Sequence, residues 1–363
     1  MKHGKKVFII AEAGVNHNGS PKMAERLIDA ACEAGADAVK FQTFQTEKIM
    51  LPGSPKAVYQ LKNTSANETS REMIKKLELD QEMHVHLMQY AANRDIRFLS
   101  TPFDEDSLDF LDKILKLPFL KIASGEITNA PLLLKAALSR RKIILSTGMS
   151  SLGEIEEALG VLAYGYETGK ENNGGPSRGA FEAAYCSEAG QRSLRENVSL
   201  LHCTTEYPAP LEEANLRVLG TLQQCFGLPV GYSDHTPGIA VSLAAAALGA
   251  VIVEKHMTLD RNLPGPDHKA SLEPGEFSAL VREIRRVELA LGSPLKKPAA
   301  SEVENRRIVR KSIVAACGIR KGELFTGKNL AVKRPGEGIS PMRFWDLLGK
   351  EASRDFEKDE VIV

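Results

Sequence analysis

The 363-residue chain has only five cysteines, and none of them forms a CxxC pair. Cys32, Cys186, Cys203, Cys225 and Cys317 are widely spaced and odd in number, which argues against a zinc knuckle, a dithiol redox motif or a disulfide framework. A reducing, cytoplasmic compartment is the expectation. A charge excess is also missing: Lys plus Arg and Asp plus Glu stand at 47 each. A general nucleic-acid binder needs a basic surplus, so that class is set aside, while a local basic pocket remains open. No segment approaches the roughly 20 apolar residues of a membrane span. The longest apolar stretch, IAVSLAAAALGAVIV, is broken by Gly249. The opening MKHGKKVFIIAEAG is interrupted at Glu12 and reads as a strand, not as a secretory signal. No GxGxxG follows that strand, which leaves a doubly wound dinucleotide-binding sheet without its main support.

What the chain does have is alternation. Short runs rich in β-branched residues occur at 6–12, 37–43, 97–102, 119–124, 142–148, 198–204, 229–235 and 251–257. Helical patterns lie between them at 21–34, 104–115, 130–139, 151–163, 214–226, 238–248 and 274–291, and a long connection over 44–96 should end in a helix near 80–93. Strand–helix units repeated in this way imply a parallel sheet. Eight units in residues 1–290 predict an α/β fold, a (β/α)8 TIM barrel, which typically takes about 250 residues plus insertions. Residues 165–195, rich in Gly, Asn and Ser, read as a surface excursion before the sixth strand. The Pro- and charge-rich segment 291–307 reads as a linker, and 308–363 as a small β-rich module with little core of its own.

In a barrel, alternate strand residues face inward and the active site lies at the C-terminal mouth. This parity pairs Ile10 with Glu12, Ala38 with Lys40 and Gln42, Phe119 with Lys121, Ile144 with Ser146, and Leu200 with His202. Each inner row begins apolar and ends polar, so Glu12, Lys40, Lys121, Ser146 and His202 are expected around one mouth. A single polar strand end is often no more than a solvated tip; five in register carry more weight. Two inward lysines repel each other unless a compact anion lies between them. A ligand with phosphate and carboxylate groups fits, with Ser100-Thr101, Ser124-Gly125 and Ser146-Thr147-Gly148 completing its hydrogen bonds. His202 and His235 end neighbouring strands and are expected to hold a divalent metal that polarises a carbonyl oxygen, although two rim histidines without a metal remain an alternative. Glu12 and Glu126 are candidates for hydroxyl contacts or proton handling, and Asp234 for orienting a histidine. His256 shares a face with Glu254, and a packed core role for it is equally open. Tyr207 and Cys203 receive no chemical assignment.

The motifs IAEAGVNHNG (10–19), VKFQT (39–43), STPFD (100–104), KIASGE (121–126), LLHCTTEYPAP (200–210), GYSDHT (231–236), EKHMTLD (254–260) and GPDHKASLEP (265–274) together resemble the sialic acid synthases. The tail RKSIVAACGIRKGELF…KRPGEGISP resembles that family's antifreeze-like (SAF) domain. The resemblance implies condensation of phosphoenolpyruvate with an open-chain N-acyl amino sugar, giving a nonulosonic acid and phosphate. It implies that Lys40, Thr101, Lys121, Ser124 and Ser146 hold phosphoenolpyruvate. Glu12, Glu126 and Asp267 would contact the sugar, and His202 and His235 would bind Mn2+ or Mg2+. It further implies a domain-swapped homodimer in which a tail arginine, best matched by Arg310, reaches the sugar site of the other protomer. The DHKASLEP loop favours the N-acetylneuraminate and legionaminate branches of the family over the pseudaminate branch. N-acetylmannosamine is the favoured sugar, with a 2,4-diacetamido-trideoxy sugar leading to N,N'-diacetyllegionaminate as the alternative. Two other classes stay open: a metal-dependent pyruvate aldolase or lyase, and a non-enzymatic sugar- or ice-binding protein.

Overall fold

The computed structural model describes residues 6–64, 67–168 and 175–363. Eight parallel strands form one sheet: β1 (Phe8–Gly14), β2 (Ala38–Thr43), β3 (Arg97–Pro102), β4 (Phe119–Ile122), β5 (Lys142–Ser146), β6 (Val198–His202), β7 (Val230–Asp234) and β8 (Ile252–His256). Their order is β3-β2-β1-β8-β7-β6-β5-β4, and the terminal strands β3 and β4 lie side by side to close the ring. The result is a TIM barrel. Helices start where short polar residues can cap them: Ser20, Asp80, Asp104, Asn129 and Ser151 each accept a backbone N–H of the first turn.

Two apolar layers hold the barrel. The larger lies between strands and helices and includes Leu27, Leu87, Leu111, Leu120, Leu145, Leu200 and Phe277. The smaller fills the base of the interior with Ile10, Ala38, Leu99, Ile144, Leu201 and Ile252. Above that plug Glu12, Lys40, Thr101, Lys121, Ser146, Ser233 and Glu254 are buried, so the interior changes from a packed core to a polar site within one strand residue pair.

The 165–195 segment is not the loop its composition suggests. Residues 165–167 end the helix Leu152–Glu167, and Arg178–Cys186 and Glu188–Asn197 form two further helices. The loop-forming Gly and Asn residues are concentrated at 169–177, and 169–174 lie outside the described residues. Beyond them Ser177 and Ser187 cap two helices that the overall composition hides. Gly190 allows their tight junction, because a Cβ there would lie 2.0 Å from the Ala184 carbonyl oxygen.

The chain divides into two compact units between Gly292 and Ser293. The second has a small antiparallel pair, β9 (Ser312–Ala315) with β10 (Leu330–Lys333), around Ile313, Ile319, Phe325, Leu330, Phe356 and Ile362. The predicted linker is in part helical, over Glu302–Val309. Its acidic first turn and basic last turn suit the helix dipole, a signal masked by the prolines before it.

Gly231 on β7 faces the apolar plug: a Cβ would come within 2.5 Å of the Ile252 carbonyl oxygen and 2.7 Å of Leu201 Cδ2. Overpacking of this kind costs about 1–3 kcal/mol. Gly231→Ala is therefore expected to lower stability to urea by that amount, as read from the denaturation midpoint.

Candidate active site

The mouth of the barrel holds four buried charges. Lys40 Nζ lies 2.6 Å from Glu12 Oε2 and 3.6 Å from Glu254 Oε2, and donates to Thr101 Oγ1 at 2.9 Å. Lys121 Nζ lies 3.5 Å from Glu254 Oε1. Ser233 Oγ donates to the same Glu254 oxygen at 2.9 Å. All four charged side chains are at most 5% exposed. The expected compensation of two lysines by an anion alone is thus incomplete, because Glu12 and Glu254 already face them. Lys121 remains under-satisfied: among the described residues Glu254 is its one carboxylate partner, beyond ordinary hydrogen-bond length. The Ser146 hydroxyl, on the next strand, is buried with no partner. On the following turns Ser124 Oγ accepts from Gly148 N at 3.0 Å and contacts Cys203 Sγ at 3.1 Å. A Cβ on Gly148 would collide with Thr205 Oγ1, Ser124 Oγ and Cys203 Sγ, so close packing of these turns depends on that glycine.

Environment splits the two carboxyls. Burial drives the Glu12 pKa up, against the pull of Lys40. Burial acts on Glu254 in the same sense, but Lys121 and Lys40 together outweigh it and hold Glu254 well below the usual carboxylate range. Burial also pushes Lys121 down, which an arriving anion would reverse.

Beside this cluster stand two imidazoles. The His235 and His256 ring centroids are 5.4 Å apart, and the Tyr207 ring lies 4.2 Å from that of His235. His235 Nδ1 is 2.6 Å from the Thr204 carbonyl oxygen; an Nδ1–H donating there leaves Nε2 with a free lone pair. His256 Nδ1 is buried without a hydrogen-bond partner, 3.9 Å from Asp267 Oδ2. Burial lowers the His235 pKa to about 4 and that of His256 well below its ordinary value, so both rings are neutral donors at physiological pH. Tyr59, on the helix Val58–Asn63, lies 5.0 Å from Tyr207 by ring centroids, and Asn63 Nδ2 of that helix donates to Pro266 O beside Asp267.

Three comparisons bear on this arrangement. The model of the NeuB family matches residues 27–296, and that of the SAF domain matches 310–363. The chain belongs to the NeuB family. It is 50% identical over 358 residues to the N,N'-diacetyllegionaminic acid synthase of Campylobacter jejuni, covering 99% of both chains. It is 44% identical to the enzyme of the same name from Legionella pneumophila, covering 98% of this chain and 93% of that one. Among solved structures, the N-acetylneuraminic acid synthetase of Leptospira borgpetersenii, in complex with citrate, superposes with a TM-score of 0.66 at 35% identity, over 83% of this chain and 90% of that one.

Within this NeuB-family barrel, the sequence expectations meet the geometry unevenly. Glu12, Lys40, Lys121 and Ser146 lie inward as the parity argument requires, and Thr101 joins them through Lys40. Ser124 and Glu126 sit on the turn Ser124–Glu126 after β4, where Glu126 is half-buried and accepts from Asn129 Nδ2 at 2.7 Å. Asp267 is buried beside His256. Arg310 is exposed in the second unit, immediately after Val309.

His202 is the correction. The interior plug takes Leu201, not Leu200, so His202 faces the helices. There its Nε2 meets the Ala214 carbonyl oxygen at 3.0 Å and its ring lies 5.7 Å from Tyr232. It is not paired with His235; His256 is. The same reversal turns Cys203 inward. Asp234 also faces outward and orients no imidazole by hydrogen bonding; its partners are Thr236, Ser242 and Lys255. Residues to which the sequence reading assigned no role are Glu254, His256, Ser233 and Tyr59, although it set His256 on one face with Glu254. The first two carried a usable signal, the alternation Ile252, Glu254, His256.

The family implies a divalent metal, and the donors present fit one: two neutral buried imidazoles, one with an unpartnered nitrogen. Among the described residues no group of three or more His, Cys, Asp or Glu side chains is arranged to hold an ion. Solvent or substrate oxygens would complete the shell.

Burial pushes the Asp267 pKa up to about 7 from 3.8. The unfolded chain therefore loses that proton first. The group's contribution to stability is present at low pH and is lost as pH rises toward 7. In metal-free protein, Asp267→Asn should flatten the fall in melting temperature between pH 5 and pH 8, gaining on the order of a few kcal/mol at pH 8 and little at pH 4.

Proposed function

We propose that this protein condenses phosphoenolpyruvate with an open-chain N-acyl amino sugar and water, giving a nonulosonic acid and phosphate. The observation that carries the reading is the pairing of an under-satisfied buried Lys121 and orphaned Ser146 hydroxyl with two neutral imidazoles at one barrel mouth. The first two suit an anion and the second pair a divalent ion, Mn2+ or Mg2+. An aldolase acting on pyruvate needs no such second anion subsite.

Lys40, Thr101, Lys121, Ser124 and Ser146 hold the phosphate and carboxylate of phosphoenolpyruvate. Glu12, Glu126 and Asp267 meet the sugar. His235 and His256 would hold the metal, which supplies Lewis-acid polarisation of the sugar aldehyde when bound. C3 of phosphoenolpyruvate forms the new bond to the aldehyde carbon, water adds at C2, and phosphate departs by C–O cleavage. The two lysines neutralise phosphate throughout, an electrostatic role. Glu12, whose burial brings its proton within reach of neutral pH, accepts the proton lost by the water. The domain assignment follows: a catalytic barrel over 1–290 and an antifreeze-like domain over 308–363. We read the assembly as a domain-swapped homodimer that brings Arg310 of one protomer to the sugar site of the other. Exposed Leu51, Val58, Leu61, Met149 and Leu211, in the segments that follow β2, β5 and β6, support a covered rim. The five free cysteines support a reducing cytoplasmic setting.

For the sugar, the 50% and 44% identities to diacetyllegionaminic acid synthases favour a 2,4-diacetamido-trideoxy sugar over the N-acetylmannosamine expected from sequence motifs. The full-length protein with Mn2+, phosphoenolpyruvate and both sugars in competition should release phosphate and yield the diacetamido product by mass spectrometry. No phosphate release with either sugar would overturn the synthase reading. Preferential use of N-acetylmannosamine would overturn the choice of sugar.

The metal assignment has its own check. His235→Ala and His256→Ala should each abolish detectable Mn2+ binding by equilibrium dialysis, whereas His202→Ala should bind as the parent does. Loss of Mn2+ binding in the His202 and His235 variants, with binding retained in the His256 variant, would restore the sequence-based pair.

A further inference from the structure

On the opposite face of the two strands that carry His235 and His256 is a second buried charge pair. Asp234 and Lys255 are paired in register across β7 and β8, and both side chains are 0% exposed. Lys255 Nζ lies 2.9 Å from Asp234 Oδ2 and also donates to the Thr236 carbonyl oxygen. Asp234 Oδ1 accepts from Thr236 N at 2.9 Å and Thr236 Oγ1 at 2.7 Å, and Oδ2 accepts from Ser242 Oγ at 2.5 Å. Ser242 belongs to the helix Ala240–Ala247. One carboxylate and one ammonium thus tie together the end of β7, the turn after it, the next helix and the end of β8.

The position of this network is what gives it meaning. His235 lies between Asp234 and Thr236 in sequence, and His256 follows Lys255. Successive strand side chains face opposite sides, so fixing Asp234 and Lys255 toward the helices fixes the directions of their neighbours toward the mouth. Thr204 orients the His235 ring from the mouth side. His256 Nδ1 has no such partner. Its placement therefore depends on the backbone of β8, which the Lys255 contacts hold. An apolar pair of similar volume would satisfy packing without the desolvation cost of two ions, but it would lack directional bonds to four separate points of the chain. Asp234 receives four such contacts and Lys255 makes two, so the pair is held by directional bonds from several sides.

We propose that the Asp234–Lys255 pair, with Thr236 and Ser242, is a positioning clamp that sets the spacing of His235 and His256 and so the affinity of the site for a divalent ion. The clamp acts through the backbone and touches no reactant. It rests on the reading of the two histidines as metal ligands, and the experiment separates the two ideas.

The test uses the full-length protein with Mn2+ as the probe, followed by electron paramagnetic resonance of free Mn2+, and histidine ring 15N spectra of the metal-free protein. Lys255→Met should weaken Mn2+ binding about 10- to 100-fold, the range typical for residues that orient metal ligands. It should also move the ring resonances of His235 and His256 while leaving those of His84 and His86 unchanged. The double variant Asp234→Leu with Lys255→Met leaves no unpaired charge; it should fold and show the same loss of Mn2+ affinity, which loss of stability alone does not explain. A folded variant, single or double, with unmoved His235 and His256 resonances and parental Mn2+ affinity would overturn the clamp. If the parent protein binds no Mn2+, the metal reading fails, and the ring resonances still decide whether the pair positions the histidines.

Discussion

The chemistry at the barrel mouth depends on four buried charges sharing one small space. Glu254 is the hinge of that arrangement, because it is the carboxylate both lysines approach. Without it, Lys40 and Lys121 would face each other across a low-dielectric interior, where like charges are strongly destabilising. With it, they can remain charged and inward in the absence of any anion. The cost of desolvating these ions is offset only where each finds partners, and Lys121 finds few. The site is therefore balanced but not closed, and its remaining capacity for negative charge is concentrated beside Ser146.

The same cluster separates two roles that chemically identical groups could not divide in water. Glu254 is pinned as an anion by two ammonium groups. Glu12 has Lys40 but is dominated by burial, so its proton is exchangeable near neutrality. Pairs of carboxyls whose environments drive their pKa values apart are a familiar way for a site to hold a fixed charge and a proton carrier together. The two imidazoles add a third kind of group, neutral because burial denies them a charge. The β1 bulge at Glu12–Gly14, with Gly14 at φ +52, brings backbone against both: a Cβ there would lie 3.2 Å from Glu12 Oε1 and 3.5 Å from His256 Cε1. A left-handed glycine at this point lets the acid and the histidine approach each other.

Much of this was legible before any coordinates. All eight strand runs lie where β1 to β8 form, because each apolar β-branched segment is bounded by polar turns and followed by a helical period. Glu12, Lys40, Lys121 and Ser146 could be placed because each follows one apolar inward neighbour at a spacing of two. The helices at 178–186 and 188–197 could not, since their signal is diluted by the glycines and asparagines before them. Glu254 escaped for another reason. In IVEKH the charges occupy both faces, Glu254 inward and Lys255 outward, so the row Ile252, Glu254, His256 becomes readable only once Ile252 is known to face the interior plug.

The His202 reversal shows which information would have decided the parity of β6. Leu200 and Leu201 are both apolar and both fully buried, one against the helices and one in the interior plug. The run itself fits either face, and a one-residue slip exchanges every side chain. The histidine at the strand end then attracts the inward assignment, because it looks more functional than the neighbouring cysteine. The next strand contains the constraint that resolves it. β7 reads VGYSD, and its register sets Leu201 against Gly231 and His202 against Tyr232. A barrel interior narrowed by Leu201 and Ile252 has room for a glycine at that level but not for a tyrosine. Gly231 must therefore face inward and Tyr232 outward. Residues in register on neighbouring parallel strands share a face, so His202 follows Tyr232 to the helices, and Cys203 turns to the mouth beside Ser124.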